Sequence, residues 1–250
     1  MALFKSSNPA LDSEVFTRHV NPFGDHQQTT VMTIGGTVNK IAVLLLLVVG
    51  SAIITWTMYF QAATLVPTFM MIGGIGGFIL ALVTIFKKEY SPVTAPIYAV
   101  LEGLFLGGVS AFFEAQFSGI VFQAVLLTMG TLLSLLFIYK SGLINVTENF
   151  KLGVAAATGG IALVYLISFG MSLFGSTMPY IHESGLIGIG FSLFVVVIAA
   201  LNLVMDFDFI EQGAEQKAPK YMEWYAAFGL MVTLIWLYIE FLRLLSKLRD

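Results

Sequence analysis

Apolar residues in this chain come in long unbroken blocks. Seven stand out: Ile41–Phe60, Val66–Phe86, Pro92–Phe113, Gly119–Tyr139, Leu152–Phe174, Gly185–Met205 and Met222–Leu245. Each is about 20 residues or longer, the length a helix needs to cross the hydrocarbon core of a bilayer. None alternates polar with apolar positions, and barrel strands would be about half as long, so the pattern predicts helices. The polar connections are short, at 87–91, 140–151, 178–183 and 206–221. Short connections favour antiparallel neighbours. The expectation is an all-α membrane protein built as a seven-transmembrane helix bundle.

Residues 1–39 are polar and carry the turn signals Asn8-Pro9, Asn21-Pro22 and Gly24-Asp25. Lys5 is followed by polar residues rather than an apolar stretch, so no cleavable signal peptide is expected and the first block would direct insertion. This divides the chain into a polar N-terminal cytoplasmic segment, 1–39, and a membrane domain, 40–250. Lysine and arginine set the orientation. With the N-terminus cytoplasmic, Lys5, Arg18, Lys40, Lys87, Lys88, Lys140, Lys151, Lys217 and Lys220 all lie inside, and the outer loops carry no cation. Arg243, Lys247 and Arg249 fall outside if the seventh block crosses, and inside if it re-enters.

Composition narrows the function classes. Apolar types make up 58% of the 250 residues and charged types 11%, with mean hydropathy +0.89. A soluble domain runs near about 45–50% apolar and 25% charged. A cytosolic enzyme domain and a disordered chain are therefore excluded. Net charge is −3 without a basic tract, which argues against nucleic acid as a partner. Cysteine is absent, so disulfides and thiolate chemistry are excluded. There is no Gly-x-x-x-x-Gly-Lys-Ser/Thr loop. His19, His26 and His182 lie outside the apolar blocks, so an intramembrane hydrolase or metal site lacks its parts. No enzyme and no cofactor are expected. Gly73 and Gly77, and Gly103 and Gly107, sit four apart and predict close helix packing.

The candidate chemistry is acidic. Glu102 lies ten residues after Pro92, about 15 Å along a helix and so close to the midplane. An isolated ionised carboxylate there is heavily penalised. It is either an ion or proton site, or a protonated side chain bonded to a neighbouring helix. Asp206 and Asp208 close the sixth block, with Asn202 one turn earlier and Glu211, Glu215 and Glu223 following. Such a cluster can attract a hard cation, with Asp206 and Asp208 as weak, transient calcium ligands. It can equally be solvated acidity at a helix end, partly neutralised by Lys217 and Lys220. No EF-hand pattern is present. Glu240 stands three residues before Arg243, placed to pair with it or to anchor the helix end, and Glu114 has the same anchoring reading.

Four segments carry a family resemblance. Ser7-Asn8-Pro9-Ala10-Leu11 and Met32-Thr33-Ile34-Gly35-Gly36-Thr37-Val38-Asn39-Lys40 resemble the lead-in of YccA-type proteins. Leu101-Glu102-Gly103-Leu104-Phe105-Leu106-Gly107 resembles the Gly-rich motif of the Bax inhibitor-1 family. Asp206-Phe207-Asp208-Phe209-Ile210-Glu211-Gln212-Gly213 resembles its Asp-Thr-Gln-x-Ile-x-x-Gly segment, matched at Asp206, Ile210 and Gly213. The resemblance covers essentially the whole chain. It implies seven helices with the last one central, and a pH-sensitive calcium leak in which two aspartates on the last two helices share a proton. The first matches Asp206. Aligning Leu242-Arg243-Leu244-Leu245 with the family's Leu-Leu-Arg ending puts Thr233 at the second position. Threonine offers only an ordinary hydrogen bond; Asp208 or Glu223 would have to substitute.

Two functions follow as expectations. One is a pH-modulated pathway for calcium ions or protons across the bacterial cytoplasmic (inner) membrane, using Glu102, Asp206, Asp208, Glu223 and Thr233. The other, also implied by the resemblance, is an adaptor that transports nothing and docks on a membrane-bound AAA protease through the polar N-terminal residues.

Overall fold

The computed structural model describes residues 31–61, 63–176, 181 and 183–250. The Ser7–Leu11 motif, Lys5, Arg18 and all three histidines lie outside the described residues. The helices are α1 (Ile34–Gln61), α2 (Val66–Phe86), α3 (Ser91–Gln116), α4 (Ile120–Lys140), α5 (Glu148–Leu173), α6 (Leu186–Glu215) and α7 (Met222–Arg249). All seven are long and apolar enough to cross a membrane. Single 3₁₀ turns precede α2 (Ala63–Leu65) and α3 (Lys88–Tyr90).

Local chemistry explains most helix starts. α2 and α3 carry proline in their first turns, where the missing N–H costs nothing. The Thr147 side chain caps α5 by accepting from the Phe150 N–H at 3.2 Å. α4 starts from Gly119 at φ 79°, a left-handed conformation glycine adopts freely. Its free N–H groups are met from α3: the Glu114 carboxylate accepts from Gly119 at 2.6 Å and from Val121 at 3.1 Å. This is the anchoring role expected of Glu114.

Two helices outrun their apolar blocks the furthest. α1 begins at Ile34 rather than Ile41, because the Thr33 hydroxyl caps it by accepting from the Gly36 N–H at 3.0 Å. α6 continues ten residues past Met205 to Glu215. Phe207 and Ile210 are buried on that extension and hold it to the bundle through its acidic stretch. The connection expected at 206–221 therefore shrinks to 216–221, and Asp206 and Asp208 ride on a helix.

The glycine spacing does what it predicts. A Cβ on Gly103 would stand 2.0 Å from Ser51 Oγ, and one on Gly107 2.2 Å from the Ala52 carbonyl, so α1 and α3 touch backbone to backbone. A Cβ on Gly73 would lie 2.4 Å from the Leu101 carbonyl, bringing α2 equally close to α3. α7 is the most buried helix and packs on α1, α3, α4 and α6. From α5, Tyr165 reaches it to donate to Glu240 at 2.9 Å. α2 stays on the rim, packed mainly on α3, and leaves a gap facing α6 and α7.

α7 is one uninterrupted helix of 28 residues, long and apolar enough to cross a membrane, with no break at which it would turn back. Its three terminal cations then sit at the end opposite the start of α1, each with local acceptors. Arg243 pairs with Glu240 at 3.0 Å. Lys247 donates to the Ile181 and Gly188 carbonyls and to Ser192 Oγ. Arg249 reaches the Ser118 carbonyl and Gln123 Oε1, both at 2.9 Å.

Candidate functional site

The gap beside α2 is a cavity of about 770 Å³. Ile85, Lys151, Gln212 and Tyr225 line it near helix ends that meet at the 87–91, 141–147 and 216–221 connections; Gly74, Phe105 and Val232 line it at mid-helix. It thus runs from one end of the bundle to the middle. Val232 is 39% exposed on the most buried helix, which shows how open the cavity is. Farther along, α5, α6 and α7 close on one another through Ile161, Val195, Ile198 and Trp236.

Glu102 is carried into this cavity near the middle of α3. The start of α3 is pinned by Ser91 Oγ donating to the Tyr221 carbonyl at 2.9 Å and by a 2.7 Å hydrogen bond from Thr84 to Thr94. Tyr98, one turn before Glu102, is buried with its ring edge-on to Phe228 at 4.9 Å. Room for the carboxylate comes from α2: a Cβ on Gly77 would stand 2.7 Å from Glu102 Oε2. Gly77 therefore makes room for an ionisable side chain as well as for a helix contact.

Asp206 enters the same cavity from α6. One turn earlier, Asn202 Nδ2 donates to Thr158 Oγ1 and to the Ile198 carbonyl, both at 2.8 Å, holding α5 against α6. Across from Asp206, α7 presents Gly229, where a Cβ would be 4.0 Å from Oδ1, and the Thr233 hydroxyl lies within reach of the carboxyl. The fold thus brings Thr233 and Asp206 together, as the family alignment implies. The Thr233 hydroxyl also points at the Gly229 carbonyl at 3.3 Å, and Asp206 Oδ2 is buried without a hydrogen-bond partner.

Asp208 lines the outer part of the cavity but is already engaged. Lys151 Nζ stands 3.1 Å from it, and Gln212 Nε2 donates to it at 2.6 Å. Among the described residues no group of three or more His, Cys, Asp or Glu side chains is arranged to hold a metal ion. What the arrangement provides is a mostly apolar chamber with two carboxylates, Glu102 and Asp206, that have no basic partner among the described residues.

Glu223 stands apart from these residues. It is fully buried at the start of α7. Its Oε1 accepts from Thr33 N at 3.0 Å, Thr33 Oγ1 at 2.9 Å and Lys220 Nζ at 2.8 Å. Met32 N–H donates to the Ala218 carbonyl at 2.7 Å beside it. Gly36 leaves the space, since a Cβ there would fall 1.9 Å from Glu223 Oε1. Glu223 clasps the beginning of α1 to α7 and does not line the cavity. Glu240 is likewise buried and paired with Arg243 and Tyr165, rather than snorkelling to a surface.

Sequence reading alone missed Tyr98, Lys151 and Gln212. Tyr98 and Gln212 each stand four residues from a carboxylate already singled out, a helical neighbour spacing that could have found them. Lys151 reaches Asp208 from another helix, and no local pattern encodes that. No curated protein matches the chain. The family described as Bax inhibitor 1 like matches residues 8–250, and with the seven-helix bundle and its Asp206–Thr233 juxtaposition already in view, the chain belongs to that family.

Proposed function

We propose that the protein is a multi-pass protein of the bacterial cytoplasmic membrane, with its N-terminus inside, that lets cations, calcium foremost, leak across under the control of pH. One observation carries the reading: Glu102 from α3 and Asp206 from α6 share a single cavity that reaches from one end of the bundle to its middle. Carboxylates without basic partners are expensive among lipid-embedded helices, and a passing cation or proton is what they suit. The Ile161, Val195, Ile198 and Trp236 layer closes the far side, so conduction requires α5, α6 and α7 to part there.

Protonation would remove negative charge from the chamber and shift the balance between closed and open states. The groups lining it with Asp206 are Glu102 and Tyr98 from α3, Lys151 from α5, Asp208 and Asn202 on α6, and Tyr225 and Gly229 from α7; Thr233 stands beside the carboxyl. Calcium passes without a chelating cage, because Asp208 is tied to Lys151. The test is calcium flux into proteoliposomes across a pH series. Asp206→Asn is expected to alter the pH dependence, and Glu102→Gln to lower or abolish flux while the protein still folds. Wild-type flux equal to that of empty vesicles at every pH would end this reading.

A further inference from the structure

We propose that the cavity between α2, α3, α6 and α7 is a binding site for a hydrophobic organic cation, an aromatic or alkyl-bodied ammonium or phosphonium ion. Its walls are aromatic on four helices: Phe78 of α2, Tyr98 and Phe105 of α3, Phe209 of α6, and Tyr225 and Phe228 of α7. Ring faces of this kind attract cations; the Tyr225 ring already has Lys88 Nζ at 5.1 Å, which leaves the other five to a ligand. Its volume of about 770 Å³ lies inside the range of roughly 300–1,000 Å³ that accommodates drug-sized ligands.

The charge balance selects the sign. Lys151 is the one cation among the described lining residues, and it is bound to Asp208 at 3.1 Å. Glu102 has no hydrogen bond or ion pair among the described residues, and Asp206 Oδ2 is buried with no partner. An anion would be repelled. A neutral lipid tail would leave the carboxylates' negative charge uncompensated, which is costly in an apolar surround. A resident hard metal ion needs about six to eight oxygen ligands, and the described residues offer no group of three. A diffuse charge on an apolar body satisfies the carboxylates and the rings together. The inference shares with the leak reading only the cavity.

The test measures saturable binding of radiolabelled tetraphenylphosphonium to the purified full chain in neutral-lipid nanodiscs, over empty nanodiscs. Tetraphenylborate, of nearly the same shape and opposite charge, serves as competitor. Saturable phosphonium binding is expected, undisplaced by the borate, and at least tenfold weaker in Asp206→Asn and in Glu102→Gln. Absence of saturable binding, equal binding of both ions, or unchanged affinity in both folded variants overturns the proposal. Charge selectivity is read on the unaltered protein, so misfolded variants do not leave the question open. Calcium flux is measured separately: phosphonium binding without flux keeps this inference and loses the leak.

Discussion

Thr233 is where the chain departs most tellingly from the paired-aspartate arrangement its family resemblance implies. The hydroxyl stands next to Asp206 but cannot share a proton with it as a second carboxylate would. Asp206 therefore stands beside a neutral group, and the other carboxylates of its chamber are Glu102 and Asp208. Thr233→Asp would create a directly coupled carboxylate pair. It is expected to change the steepness of the pH–flux curve, and a curve superimposable on wild type would show that the two positions do not communicate. Glu223 belongs to a different task. Its oxygen receives three donors from Thr33 and Lys220, and replacing it with alanine strands the Thr33 groups. Glu223→Ala is expected to lower stability by about 1–3 kcal/mol, read as a drop in Tm in detergent and as faster amide exchange at residues 33–37. Gly103→Ala has a similar expected cost of about 1–3 kcal/mol, because the new methyl meets Ser51 and the Val48 backbone, neither of which can move far.

At the level of elements, α6 matters most. Its 30 residues span about 45 Å, well beyond the roughly 30 Å of hydrocarbon. The extra turns carry Asp208, Glu211 and Gln212 out of the apolar zone as an ordered helical wall. Tyr139 on α4 hydrogen-bonds Glu211 and Lys151 on α5 pairs with Asp208, so the wall is braced from both sides. Lys151→Met removes the cation facing the cavity mouth. Under the leak reading it is expected to raise cation flux severalfold in proteoliposomes at neutral pH, by leaving Asp208 free to attract the ion. Reduced flux with a normal Tm would instead assign Lys151 a positive role in the pathway. α7 shows the complementary design: the face at Gly229, Thr233, Trp236, Glu240, Arg243 and Lys247, spaced three and four apart, runs from the cavity through the apolar closure to a polar cluster at the far end.

For the whole molecule, the decisive arrangement is that α2 packs on α3 without closing against α7. That leaves the cavity, and an uninterrupted α7 carries the C-terminus to the other end. The chain has no cysteine, so single-cysteine reporters need no background removal. Ser141→Cys, in the α4–α5 connection, and Ser118→Cys, at the α3–α4 turn, lie at opposite ends of α4. With the N-terminus inside, a membrane-impermeant maleimide is expected to label position 118 in intact cells and position 141 only after the membrane is opened. The reverse pattern would invert the orientation and place the cavity mouth outside.

Block length and apolar content determined the number of helices, their order and their membrane setting, because crossing hydrocarbon demands about 20 apolar residues whatever the neighbours are. Glycine spacing likewise foretold the close contacts among α1, α2 and α3, since a helix face repeats every three or four positions. Intramembrane cost also pointed to Glu102 and Asp206. Tertiary structure decided what those acids meet. Asp206 and Glu223 look alike as acids near the sixth and seventh blocks. One opens into a chamber, while Oε1 of the other accepts from Thr33, a residue 190 positions away. Lys151 reads as loop charge, yet it neutralises Asp208 across two helices. Helix faces are written in local periodicity; which faces meet, and which carboxylates are left without a partner, is set by packing between segments far apart in the chain.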